Sequence, residues 1–223
     1  MDILSIFTSP SKVFSSLKER PKWVLPLVIV VVVTLIATIL ILSSRIGLDM
    51  RLAALKARNL PPEQLERAQR FIKGPLPVIT GSISVLIATP IWMVIVAFIY
   101  NLCLPLVGGK GNFLKTFSVV SYSAMVRIPG IILRTLLIFI KKTPFVHTSL
   151  ILFFPKIPHH SFGARFLSRL DIFTIWELIL IALGLEIITD VKGKKTYYLV
   201  FGIWLLYLLL TSLFFGRFRP GIR

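Results

Sequence analysis

Long apolar runs alternate with short polar, mostly basic segments along this chain of 223 residues. The run at 23–43 carries no Asp, Glu, Lys or Arg, and further runs lie at 77–106, 117–140, 170–188 and 197–215. A helix needs about 20 predominantly apolar residues to cross a roughly 30 Å hydrocarbon core. The pattern therefore predicts an all-α, polytopic membrane protein, a bundle of five transmembrane helices. An odd number of spans places the two ends on opposite sides.

The intervening segments are also patterned. In residues 1–22, Ser9 suits a helix cap and Pro10 the first helical position. Val13, Phe14 and Leu17 then share one face, opposite Lys12, Ser15, Ser16 and Glu19. This segment is too short and polar to span. It predicts an amphipathic helix lying in the membrane interface, with Phe14, Trp23 and Tyr197 as interfacial anchors. After the first span, Leu48, Leu52 and Leu55 recur at helical spacing. Pro61-Pro62 breaks the chain, and Leu65, Ala68, Phe71 and Ile72 mark a second amphipathic stretch ended by Gly74-Pro75. A helical hairpin beside the membrane, acting as a solvated lid, is expected there. Pro90 predicts a kink in the second span. Within the connection at 143–169, the run from Leu150 to Phe154 is too short to cross and is expected to dip into the interface. The domain reading is an interfacial segment, 1–22, followed by one membrane domain, 23–223.

Composition agrees. The chain is 56% hydrophobic and only 16% charged, whereas soluble domains have about 25% charged residues. The net charge of +17 raises the question of nucleic acid. Its Lys and Arg residues lie in short segments between apolar runs rather than on one solvated face, so they suit anionic lipid headgroups and no nucleic-acid partner is expected. Lys and Arg are more numerous in 44–76, 141–169 and the tail, 15 against 9 in the alternate segments, which leans toward a cytoplasmic C-terminus although those loops are longer. A single cysteine, Cys103, leaves the redox compartment open. The N-terminus has no secretory cleavage pattern, so the first run is read as retained.

Motifs for chemistry are few. Gly108-Gly109-Lys110-Gly111 fails the phosphate-loop pattern, with Leu104 and Gly111 at required positions, and reads as a tight turn. His147, His159 and His160 lack metal-ligand spacing. No nucleophile–base set or carboxylate pair is present; His159-His160 with Asp171 is the nearest approach to a catalytic cluster. No cofactor, metal site or enzymatic activity is expected.

The notable residues are charges within apolar runs: Arg127 and Arg134 in the third, Glu177 in the fourth, with Asp171 at the mouth of the fourth and Pro129-Gly130 breaking the third. Hydrocarbon tolerates such groups only when they pair, snorkel or face water. Counting from the ends of the two runs puts Arg134 and Glu177 at one depth, roughly 10 Å from the same face, so these two are expected to pair. Arg127 then lacks a carboxylate and is expected to face a polar cleft beside Pro129, with Ser121, Tyr122 and Ser123 near its entry. The plainer account of the same residues is an ion pair that sets helix register.

An ordered set of residues resembles a known family. Phe7-Thr8-Ser9-Pro10, Phe14, Leu17 and Glu19-Arg20-Pro21-Lys22-Trp23 lead into the first span. Gly108-Gly109-Lys110-Gly111 and Ser121-Tyr122-Ser123 follow, and then Leu170-Asp171-Ile172-Phe173-Thr174-Ile175-Trp176-Glu177 with Gly184. This order resembles the prokaryotic branch of the Yip (Ypt/Rab-interacting protein) family of five-span membrane proteins. The resemblance implies a non-catalytic membrane-organising or adaptor protein, with a membrane-protein partner or a second copy of itself, in the cytoplasmic (inner) membrane of a prokaryote. Eukaryotic members bind Rab-type GTPases and carry an Asp-Leu-Tyr-Gly-Pro motif before the first span; this chain has no match to the motif, so no Rab-type GTPase is expected. Those members keep the N-terminus in the cytosol, opposite to the charge count. A second reading from the residues is a small transporter, channel or lipid-handling protein that uses a cleft around Arg127.

Overall fold

The computed structural model describes residues 4–56, 58, 60–142, 162–191 and 193–214. Among them every regular element is helical. A short helix α1 (Ser5–Thr8) runs into α2 (Pro10–Glu19), and α3 (Val24–Ser43) is the first span. Helices α4 (Arg45–Lys56) and α5 (Pro62–Lys73) pack together as the expected hairpin, and Leu55 of α4 is buried. The second span is α6 (Leu76–Cys103), extended by a 3₁₀ turn at Leu104–Val107. The third is split into α7 (Phe113–Ala124) and α8 (Arg127–Lys141). A short α9 (Phe162–Arg169) precedes α10 (Ile172–Thr189) and α11 (Lys195–Phe214), the fourth and fifth spans. Five of these units are long and apolar enough to cross a membrane. The Leu150–Phe154 run, the three histidines, the prolines of that connection and the basic tail lie outside the described residues.

Pro90 sits inside α6, which stays one continuous helix around it. Asn112 caps α7 by accepting from the Lys115 amide. Gly108 adopts φ +84° in the turn before it, so the glycine segment closes a tight connection as its residues suggest.

The break in the third span lies four residues before Pro129, not at Pro129-Gly130. Pro129 has no N–H to give to the Met125 carbonyl, and its ring crowds that carbonyl. The chain responds by tightening. The amides of Met125, Val126 and Ile128 donate to the carbonyls of Tyr122, Ser123 and Met125, three residues back. Pro129 itself falls in the first turn of α8, where a missing donor is tolerated.

Helices α7 and α8 pair antiparallel with α10. A Cβ on Gly184 would lie 2.5 Å from Val119 Cγ1, and one on Gly130 would lie 2.7 Å from the Phe173 ring. These glycines let the backbones approach where a methyl group would hold them apart. Helix α3 lies on the other side, packed on α6, α7 and α8.

The N-terminal segment departs from expectation. Phe14 and Leu17 are fully buried and Val13 nearly so, and protein rather than lipid covers them. Phe14 fits against Gly184 and Val119. Phe7 meets Trp176 edge-on at 6.0 Å, and Lys18 Nζ donates to both Asp190 carboxylate oxygens at 2.6 Å. These contacts advance together, so α1 and α2 run beside α10 in the same direction. Phe14 therefore anchors the helix to the bundle, not to lipid headgroups. The reason is shape: lipid offers Phe14 equal apolarity, but the notch at Gly184 offers closer packing. Trp23 is likewise half-buried, packed on Phe117 at 5.1 Å. Of the tyrosine pair, Tyr197 packs inward on the core and Tyr198 is the exposed one.

Replacing Gly184 by Val should destabilise the protein by about 1–3 kcal/mol through overpacking, and should make the N-terminal segment the first part cut by protease. A thermal shift in detergent with limited proteolysis measures both. Unchanged melting together with unchanged cleavage would contradict the notch.

Candidate functional site

The register of α7, α8 and α10 decides which charges meet. Val119 faces Gly184, and Gly130 faces Phe173. The position between them brings Arg127 to Glu177, whose Nε and Oε2 are 2.5 Å apart. The pairing expected for Arg134 is therefore wrong, and Arg127 is the residue with a carboxylate. Ends of apolar runs are not level: α8 continues from Ile131 to Lys141 past the residues that face the start of α10. The error is two helical turns, roughly 10 Å. Arg134 lies on that projecting part of α8, exposed, with no ion pair among the described residues.

The pair is lopsided. The Glu177 side chain is 4% exposed and that of Arg127 is 39% exposed. A guanidinium has five N–H donors. Here Nε–H serves Glu177, while the two terminal NH₂ groups make no hydrogen bond among the described residues. Arg127 is the first residue of α8, directly after the tightened turn. Pro129 thus matters by setting where α8 begins and how Arg127 is aimed.

Asp171 is the N-cap of α10. Its Oδ1 accepts from the Phe173 and Thr174 amides at 2.9 and 3.4 Å, which offsets orphan donors of the first turn. Ser121, Tyr122 and Ser123, expected at a cleft entry, are instead buried in the core on α7. Their small hydroxyl neighbours allow close packing.

Arg127 and Glu177 stand at the wall of a cavity of about 510 Å³ between α6, α10 and α11. Its lining changes character along α10. Asp171, Thr174 and Glu177 border one part, together with Ser168 of α9, and Leu178 and Ile181 border the next. Trp92 and Tyr100 from α6 and Trp204 and Tyr207 from α11 complete the sides. This size lies within the usual 300–1,000 Å³ of ligand sites. The contribution of α6 and α11 has no signature in the sequence, where their aromatics read as ordinary span residues. Among the described residues no group of three or more His, Cys, Asp or Glu could hold a metal. His159-His160, the other part of the cluster with Asp171, lies outside the described residues.

A family model described as the Yip1 domain matches residues 4–214. The chain belongs to the Yip1 family. It is similar to "Membrane protein YknW" of Bacillus subtilis (strain 168), with 26% identity over 218 residues, 95% of this chain and 90% of that protein. No solved structure matches. The family match starts at residue 4 and so includes α1 and α2 with the spans. The protein is thus an integral membrane protein of the Yip1 family.

Arg127→Gln should cost about 3–5 kcal/mol, because it strands a buried carboxylate. Glu177→Gln should cost less, since the half-exposed guanidinium can reach water or headgroups. The double variant should regain much of the loss, and Arg134→Gln should be near neutral. Thermal unfolding of the four variants in one detergent measures this order. Equal melting of Arg127→Gln and Arg134→Gln would sink the assigned pairing.

Proposed function

We propose that this Yip1-family protein is non-catalytic and organises its membrane, the cytoplasmic membrane of a prokaryote, by holding an amphiphile inside its bundle. The observation that carries the reading is the graded lining of the cavity. Along α10 the lining passes from Asp171, Thr174 and Glu177 to the aliphatic Leu178 and Ile181, and Trp92, Tyr100, Trp204 and Tyr207 supply apolar rings at its sides. A soluble metabolite has no use for the second part, and a plain hydrocarbon has none for the first. An amphiphile satisfies both. Arg127 then serves its head while the buried Glu177 holds the guanidinium in place.

The test is native mass spectrometry of protein purified in mild detergent. The expected result is about one bound amphiphile per chain that survives delipidation, and its loss when Ile181 and Trp204 are both changed to bulkier or polar groups (Ile181→Phe with Trp204→Arg). Protein that carries no amphiphile after the gentlest extraction would end the reading.

An adaptor role has one observation in its favour. The outward face of α2 carries exposed Ser11, Lys12, Ser15, Ser16 and Glu19 beside α10, and a polar face at span level gains from a protein neighbour. On this reading a crosslinked partner is captured in native membranes and is lost in Lys12→Glu, with bound amphiphile unaffected.

A further inference from the structure

The cavity has an unusual side wall. Helix α6 packs on α3 and α7, whereas α11 packs on α10, α9 and the 3₁₀ turn after α6. The backbones of α6 and α11 do not pack along their lengths, although both line the cavity. What closes the gap is a pair of side chains: Trp92 and Tyr207 meet with ring centroids 5.6 Å apart, tilted by 53°. Both rings are on the outside as well, 40% and 42% exposed. On α6 the neighbouring Ile91, Ile95 and Phe98 are also exposed, as lipid-facing residues are. The gap therefore faces the bilayer sideways, with these two rings across it.

The chemistry inside the gap points to one kind of head. Glu177 occupies the Nε edge of the Arg127 guanidinium. The opposite edge, with both terminal NH₂ groups, is the fork that binds a phosphate or carboxylate with two parallel hydrogen bonds. Arg127 lines the cavity and its side chain is 39% exposed, whereas Glu177 is nearly fully buried, so the guanidinium and not the carboxylate is the group open to a ligand there. Its position at span depth limits what can reach it. A free anion would have to cross hydrocarbon, while a lipid head sliding between α6 and α11 brings its own apolar chains to the exposed aliphatic surface.

We propose that the gap between α6 and α11 is a lateral entry site for a phospholipid, with Trp92 and Tyr207 as its two-ring gate and the terminal NH₂ groups of Arg127 as the receptor for the phosphate. The proposal rests on the amphiphile reading above and adds the head and the route. Phosphate chemistry is shared by lipid heads and free phosphate; the lateral gap selects the lipid.

The experiment uses full-length protein with Cys103→Ser, Trp92→Cys and Tyr207→Cys, delipidated in detergent. The two cysteines are bridged through disulfides by a short bis-methanethiosulfonate or left open. Loading is read by native mass spectrometry after exposure to phosphatidylethanolamine, to a galactosyl diacylglycerol with the same chains, or to inorganic phosphate. Open protein should take up phosphatidylethanolamine at least tenfold better than the galactolipid and should not retain inorganic phosphate. Bridging should slow loading at least tenfold, and reduction of the bridge should restore it. In a second arm, Arg127→Gln/Glu177→Gln removes both charges together and so leaves no stranded carboxylate; this variant should lose the preference for the phosphate head while still taking up lipid. Equal loading of both lipids contradicts the phosphate receptor but leaves the amphiphile reading standing. Loading unchanged by the bridge contradicts the lateral route, and retained inorganic phosphate contradicts selection for lipid. No loading of any amphiphile overturns both the proposal and the reading beneath it.

Discussion

A carboxylate inside an apolar bundle must have a cation, and this constraint fixes more of the structure than any other. Glu177 is nearly fully buried, so an unpaired charge there costs several kcal/mol. Meeting that demand sets the antiparallel register of α8 against α10. The register in turn aligns Gly130 with Phe173 and Val119 with Gly184. The second of these contacts makes the notch that receives Phe14. An N-terminal helix is thus seated by a chain of contacts that begins at an ion pair roughly 10 Å away along α10.

The same pair also shapes the cavity. Were Arg127 and Glu177 equally buried, the pair would only set register. Their unequal exposure leaves one edge of the guanidinium turned outward, and the position of Arg127 at the first residue of α8 comes from the proline two residues later. Pro129 thus acts at a distance in sequence. It loosens the backbone at Met125, the tightened turn restarts the helix at Arg127, and the restart points a charge at the space between α6 and α11.

Much of the fold was legible in the sequence because hydropathy reports length directly. The five runs became five spanning units with ends moved by a few residues, and the leucine spacing in 44–73 became α4 and α5. What was not legible depended on relative height. Apolar runs show where lipid is, but not how far one helix extends past its neighbour, so Arg134 looked level with Glu177 and was not. The position of the break was off by four residues for a similar reason: proline marks the residue with the missing donor, while the backbone gives way at the acceptor. The amphipathic pattern of Val13, Phe14 and Leu17 was read correctly as a one-sided helix, yet periodicity cannot say whether lipid or protein covers the apolar side. The notch at Gly184, with the Phe7–Trp176 and Lys18–Asp190 contacts on either side of it, decides that.

The cavity was the least legible feature, since it is made by a contact that is missing. Nothing in Trp92 or Tyr207 distinguishes an aromatic that bridges two separated helices from one that faces lipid. The separation follows from packing elsewhere. Close approach at Gly81 draws α6 onto α3, whereas α11 is held by α10 and by the turn at the end of α6. Each helix is committed to a different neighbour, and the space between them is left to side chains. Bundles in lipid can sustain such a gap because no hydrophobic force closes it: acyl chains are as apolar as the helices they would be squeezed from between. A gap that water would collapse in a soluble bundle is therefore stable here, and it persists beside an arginine whose remaining donors need an acceptor.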